Sequence, residues 1–150
     1  MNPPKNWVDD INELLSRLYG DFAVPYEDIT LAYLHKMIRQ PNKVFVLALD
    51  TTSHPHRIVG MGSIFFLHTT HGKTAFVEDI AVRRDYRRRG IGTAIVKKII
   101  SCAQKHKALY ADLTSQKKRR AARRIYRRFG FEDYNTTLFS LDLSPKINRP

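Results

Sequence analysis

The chain has 150 residues, 43% hydrophobic, with 26 Lys and Arg against 14 Asp and Glu, giving a formal net charge of +12. That length suits a single domain over residues 1–150 with a real core, its last residues 144–150 reading as a frayed tail. No apolar run approaches the roughly 20 residues of a membrane helix, no signal-type stretch follows Met1 to Lys5, and the lone Cys102 excludes an intramolecular disulfide framework, so a cytoplasmic protein is expected.

Val8, Ile11, Leu14, Leu15 and Leu18 recur at helical spacing, and Gly20 is placed to stop that helix. Pro25 to Thr30 reads as a loop, and Leu31, Leu34, Met37 and Ile38 mark a second helix ending near Pro41. Val44 to Leu49 is short, apolar and β-prone, and reads as a strand. A turn through Pro55 leads to a second strand, Ile58 to Leu67, in which Gly60 and Gly62 mark a bulge or a close approach. His68 to Lys73 closes a hairpin onto a third strand, Thr74 to Val82. A helix over 91–105, a strand around Leu109 to Leu113, a helix from Arg119 to Phe129 and an alternating strand at Leu138 to Leu143 follow. Hairpins that give way to alternating strands and helices predict a mixed α/β sheet covered by helices on both faces.

The charge excess gathers in two places, Arg83 to Arg89 and Lys117 to Arg128. Such fields attract polyanions, whether nucleotides, phosphorylated metabolites or nucleic acid. The first cluster contains Arg87-Arg88-Arg89-Gly90-Ile91-Gly92-Thr93, between a strand and a helix start. Helix N-termini carry unpartnered N–H groups and favour negative charge, and glycines let a phosphate approach the main chain. A phosphate-bearing ligand is therefore expected on this turn. The six histidines show no paired spacing for a metal, so no metal site is expected.

Glu78 and Asp79 sit in the third strand beside the turn. Simple alternation puts Phe76, Glu78, Ile80 and Val82 on one face, and Val77, Asp79 and Ala81 on the other. Carboxylates in a sheet need a reason. Either they pair with Arg83 or Arg87, or one has a raised pKa and serves as a general base.

The pattern Arg87-x-x-Gly90-x-Gly92, followed by Asp112 to Ser115 on a strand and then Tyr126-x-x-x-Gly130-Phe131, resembles the GNAT superfamily of acetyl-CoA-dependent N-acetyltransferases. The resemblance covers about residues 43 to 143. It implies a mostly antiparallel twisted sheet whose main strands splay apart at a bulge, opening an acetyl-CoA cleft. It further implies that Arg88 to Thr93 hold the cofactor pyrophosphate, with Arg87 opening the motif, and that Ile80, Ala81 and Val82 offer backbone hydrogen bonds to the pantetheine arm. Tyr126 would protonate the departing thiolate, and Glu78 or Asp79 would serve as base for direct transfer to a small-molecule or peptide amine. Two alternatives remain at this level: a non-catalytic acetyl-CoA-binding module, and a nucleic-acid-associated protein using the arginines of 119–128. Homodimers are common in the family.

Overall fold

The computed structural model describes residues 3–20, 28–141 and 143. Helix α1 (Lys5–Tyr19) turns Val8, Ile11, Leu14 and Leu15 inward, as their spacing predicts. These side chains meet Leu34 of α2 (Leu31–Ile38) and Ile58 and Met61 of the sheet. Each such large apolar side chain contributes about 1.5–3 kcal/mol when fully buried. Thr30 caps α2, its side chain accepting the Tyr33 N–H at 3.1 Å.

The sheet runs β1 (Lys43–Asp50), β2 (Arg57–Thr69), β3 (Gly72–Val82) and β4 (Ala111–Leu113), in that spatial order. The first three strands are antiparallel neighbours, and β4 lies parallel to β3. Helix α3 (Ile91–Lys105) covers the face opposite α1, placing Ile95, Ile99 and Ala103 against Ile64, Phe66, Ala75 and Val77. Helices therefore flank both faces of a mixed sheet, as expected. Gly62 lets α3 come close, since a Cβ there would lie 2.8 Å from Ile99 Cδ1. Among the described residues no helix is long and apolar enough to cross a membrane.

Two features shape what lies between β3 and its neighbours. Met61 pairs with Ala81 but Ser63 pairs with Glu78, so Asp79 and Ile80 together face Gly62. Asp79 takes φ +59 to make this bulge, and everything after it is rotated to the other face. On its other side, among the described residues, β3 pairs with β4 only through Ala75, Phe76 and Val77, and no described strand covers the edge of β3 beyond them.

The bulge corrects the simple alternation. Ile80 and Val82 pack with Val77 on the α3 face, whereas Ala81 joins the α1 cluster. A second correction concerns the end of the chain. No strand forms over 138–141 or at 143, and Leu138, Phe139, Leu141 and Leu143 are all strongly exposed. Alternation promises a strand only where a neighbour takes up its hydrogen bonds, and among the described residues no sheet edge does so there. Asp142 and the expected tail 144–150 lie outside the described residues.

A buried ion cluster ties α1 to the sheet. Asp10, 5% exposed, accepts the Ile58 N–H at 2.9 Å and lies 3.4 Å from both Arg83 and Arg57. Arg83 also pairs with Glu13.

Candidate active site

The bulge gathers polar groups on the α1 face of β3. Asp79 Oδ1 accepts the Tyr19 hydroxyl at 2.5 Å, and its Oδ2 accepts the hydroxyl of fully buried Ser63 at 3.1 Å. Two hydroxyl donors thus fix this carboxylate. Burial first, then the bond to Asp79, holds the Tyr19 phenol proton well above its ordinary range. Glu78 is opposite Ser63 and reaches solvent. Partial desolvation and then the charge of Asp79 raise its pKa, while Lys43 opposes the rise. Neither carboxylate takes Arg83, which is spent on Asp10 and Glu13. Arg87 likewise turns elsewhere, its Nε donating to the Val82 carbonyl at 3.2 Å.

Lys43 starts β1 opposite Phe65. Its Nζ lies 4.4 Å from the Phe45 ring centre and 4.1 Å from that of Phe65. Burial lowers its pKa, and Asp79 and Glu78 pull the other way. Tyr19, Ser63 and Lys43 were not legible as site residues. Tyr19 reads as the last turn of a helix, and Lys43 as a charge flanking an apolar strand.

The opposite side of the bulge is built from backbone. The Arg83 N–H donates to the Val59 carbonyl, and Val82 pairs with Gly60. Antiparallel alternation then turns the N–H and C=O of Ala81 toward β2, and those of Ile80 and Val82 toward the open edge. Of the expected trio, Ile80 and Val82 turn their backbone groups to the open edge and Ala81 turns its own to β2, because successive residues alternate and the bulge sets the phase.

The glycine turn follows. Arg88 and Gly90 both adopt positive φ, +63 and +78 respectively, and Gly90 leads straight into α3. The Ala94 N–H bonds back to the Gly90 carbonyl, which leaves the N–H groups of Ile91, Gly92 and Thr93 directed out of the helix end. A Cβ on Gly90 would meet nothing within 4 Å, so the turn faces open space. Arg89 lies over the Tyr86 ring, 5.0 Å from its centre, and Arg87 is held by Val82, so the turn is braced on both sides.

Helix α4 (Arg120–Arg128) rests against α3, with Ile125 Cδ1 3.5 Å from the Cβ position of Gly92. Tyr126 is half-buried, meets Phe131 edge-on at 6.0 Å, and has its pKa raised by burial. Its hydroxyl therefore keeps its proton through neutral pH. Lys117, Arg120, Arg123, Arg124 and Arg127 line an open cavity of about 500 Å³. Asp133 accepts from Arg123 at 3.0 Å and from Arg127 at 2.6 Å. Between β4 and α4, Ser115 Oγ and Gln116 Oε1 are buried with no hydrogen-bond partner among the described residues. An open edge, outward N–H groups, orphaned polar atoms and a cationic cavity fit a long phosphate-bearing ligand with amide groups. Among the described residues no three His, Cys, Asp or Glu side chains are grouped to hold a metal ion.

Comparison with known proteins shows the family and the fold. The sequence pattern of the acetyltransferase (GNAT) family matches residues 8–131. An uncharacterised N-acetyltransferase of Methanocaldococcus jannaschii is 25% identical over 134 residues, covering 88% of this chain and 59% of the relative. The thialysine N-epsilon-acetyltransferase of Mus musculus is 43% identical over 47 residues, 31% of this chain and 28% of that protein. The chain thus spans less than two thirds of these relatives. The crystal structure of an acetyltransferase from Trypanosoma brucei superposes with a TM-score of 0.74 at 24% identity, covering 94% of this chain and 96% of that one.

Proposed function

Because the chain belongs to the GNAT acetyltransferase family, we propose that it moves an acetyl group from acetyl-CoA to a primary amine by direct transfer. The observation that carries this reading is the bulge at Asp79, which sets carboxylates on one side of β3 and open backbone groups on the other.

Acetyl-CoA, when bound, supplies an acetyl group activated as a thioester. Ile91, Gly92 and Thr93 would hold its diphosphate through outward N–H groups. The arginine cavity beside α4 supports capture of further phosphate charge. Ile80 and Val82 would bind the pantetheine amides in the manner of an added strand, completing the edge that β4 leaves. With Ile80 and the second lone pair of the Val82 carbonyl on the amides, the Val82 N–H would be left to stabilise negative charge on the thioester oxygen. Glu78, raised but accessible, would take the proton of an ammonium acceptor and so free the nitrogen lone pair to attack the acetyl carbon. Asp79, fixed by Tyr19 and Ser63, stands beside it. As the carbon–sulfur bond breaks, the nitrogen would give up its second proton to solvent, Tyr126 would give its proton to the leaving sulfur, and solvent would restore the phenol.

A nucleic-acid contact through α4 is the second reading, favoured by the same arginine cavity. A thermal-shift titration with acetyl-CoA, ATP and a short duplex separates the two. At a hundred times Kd, specific binding adds about 2.7 kcal/mol, or roughly 5–10 °C for a chain of this size. A saturable shift with acetyl-CoA that survives moderate salt, and coenzyme A release on adding amines, is the expected result. Equal small shifts for every polyanion, lost as salt rises, would overturn it.

A further inference from the structure

The α1 face of the sheet carries a cation where an amine acceptor would be expected to place its own. Lys43 reaches across β1 and β2 so that its ammonium stands over both the Phe45 and the Phe65 rings, 4.4 and 4.1 Å from their centres. Strand pairing puts Phe65, Phe45 and Ser63 on the face that carries Glu78, and the bulge adds Asp79 to it. Lys43 feels the charges of Asp79 and Glu78. Two aromatic faces beside two carboxylates are the surroundings that capture an alkylammonium group. Here the protein fills that cage with its own side chain.

We infer that Lys43 sets acceptor specificity: by occupying the aromatic and carboxylate cage, it excludes a second cationic group and selects amines whose remainder is neutral or anionic. This rests on the acetyltransfer reading above and names its substrate class. A diamine entering the site would bring its far ammonium against Lys43 and find both rings taken. An amine bearing a carboxylate or phosphate would instead find Lys43 as a partner. Protonation of Lys43 is supported by the carboxylates even though burial opposes it. The net charge of +12 biases the long-range field in the same direction.

The test uses three amines of matched length: 1-aminobutane, 1,4-diaminobutane and 4-aminobutanoate. Binding to wild type, Lys43→Met, Lys43→Gln and Lys43→Arg is measured by calorimetry with saturating coenzyme A, and kcat/KM by coenzyme A release. Wild type should favour 4-aminobutanoate and 1-aminobutane over the diamine. In the Met and Gln variants the diamine-to-monoamine ratio should rise about tenfold, the size expected for one vacated cation–π cage. The Arg variant, which keeps the charge, should retain the wild-type ratio. A ratio that stays within about twofold in folded Met and Gln variants overturns the inference, as does a wild type that takes the diamine as readily as the monoamine. Gained diamine binding without any acetyl transfer would leave the inference standing and sink the acetyltransfer reading. Transfer with an unmoved ratio would do the reverse. Absence of saturable amine binding in every variant would overturn both.

Discussion

Removing the Asp10 carboxylate should unfasten α1 from the sheet, and the cost can be worked from its surroundings. Asp10 is 5% exposed and accepts the Ile58 N–H at 2.9 Å. In Asp10→Ala that N–H stays buried without a partner, at about 1–3 kcal/mol. Breaking a buried ion pair from one side costs about 3–5 kcal/mol when the remaining charge has no other counterion. Two facts reduce that figure here. Arg83 keeps Glu13, and the side chain of Arg57 is 45% exposed. The net expectation is about 3 kcal/mol, or a fall in Tm of roughly 6–12 °C for 150 residues. Asp10→Asn retains an oxygen for the Ile58 N–H and should lose about half as much. Urea titrations of the three proteins, compared at equal m, give the values. Asp10→Ala within about 0.5 kcal/mol of wild type would refute the view that this cluster anchors α1. The anchor matters beyond stability, because the last residue of α1 is Tyr19, which holds Asp79.

Three further outcomes follow from the site. Tyr126→Phe should lower kcat about a hundredfold with little change in KM for acetyl-CoA, and unchanged kcat would remove Tyr126 from the proton-donor role. Activity should rise with pH on an acid limb lying above the ordinary carboxylate range, since Glu78 must lose its proton to act as base and its folded pKa is raised. Lys43 lowers that pKa, so Lys43→Met should carry the limb to still higher pH, and a pH–rate profile that stays put would dismiss Glu78. Gly62→Val should destabilise by about 1–3 kcal/mol, because even a Cβ would stand 2.8 Å from Ile99 Cδ1 and 3.0 Å from Ile95 Cγ2; chemical denaturation checks it.

The elements that a local signal defines are legible in the amino-acid sequence. Helix α3 begins at Ile91 and ends at Lys105, where Gly90 and the apolar period put it, and α4 falls within a residue of its expected bounds. The three long strands and the glycine turn are legible for the same reason. The bulge is not. It rests on a non-glycine residue at positive φ, which no composition announces. Without it, alternation misassigns the faces of Ile80, Ala81 and Val82, and hides the fact that Glu78 and Asp79 share one environment. Tyr19 and Lys43 are invisible for a different reason: Tyr19 meets Asp79 across 60 residues, and Lys43 meets the Phe65 ring and the carboxylates only once β1, β2 and β3 are paired. The alternating residues at 138–143 mislead in the opposite direction, since their pattern is genuine but no partner strand receives it among the described residues.

The bulge at Asp79 behaves as a one-residue change of phase with two separate outputs. Upstream and downstream of it, β3 is read in different frames. In one frame Ser63 and Glu78 meet on the α1 side, and in the other Ile80 and Val82 present their amides to the cleft. Flattening the bulge with Asp79 kept in the strand would therefore do more than move a carboxylate. It would slide Ile80 opposite Met61, turn the amides of Ile80 and Val82 against β2 and send Ala81 to the cleft in their place. Deleting Asp79 should instead close the gap, with Ile80 falling opposite Gly62 and Ala81 and Val82 keeping Met61 and Gly60. The deletion should thus impair amine chemistry and spare the backbone edge, whereas a change that flattens the kink at full length should disable both.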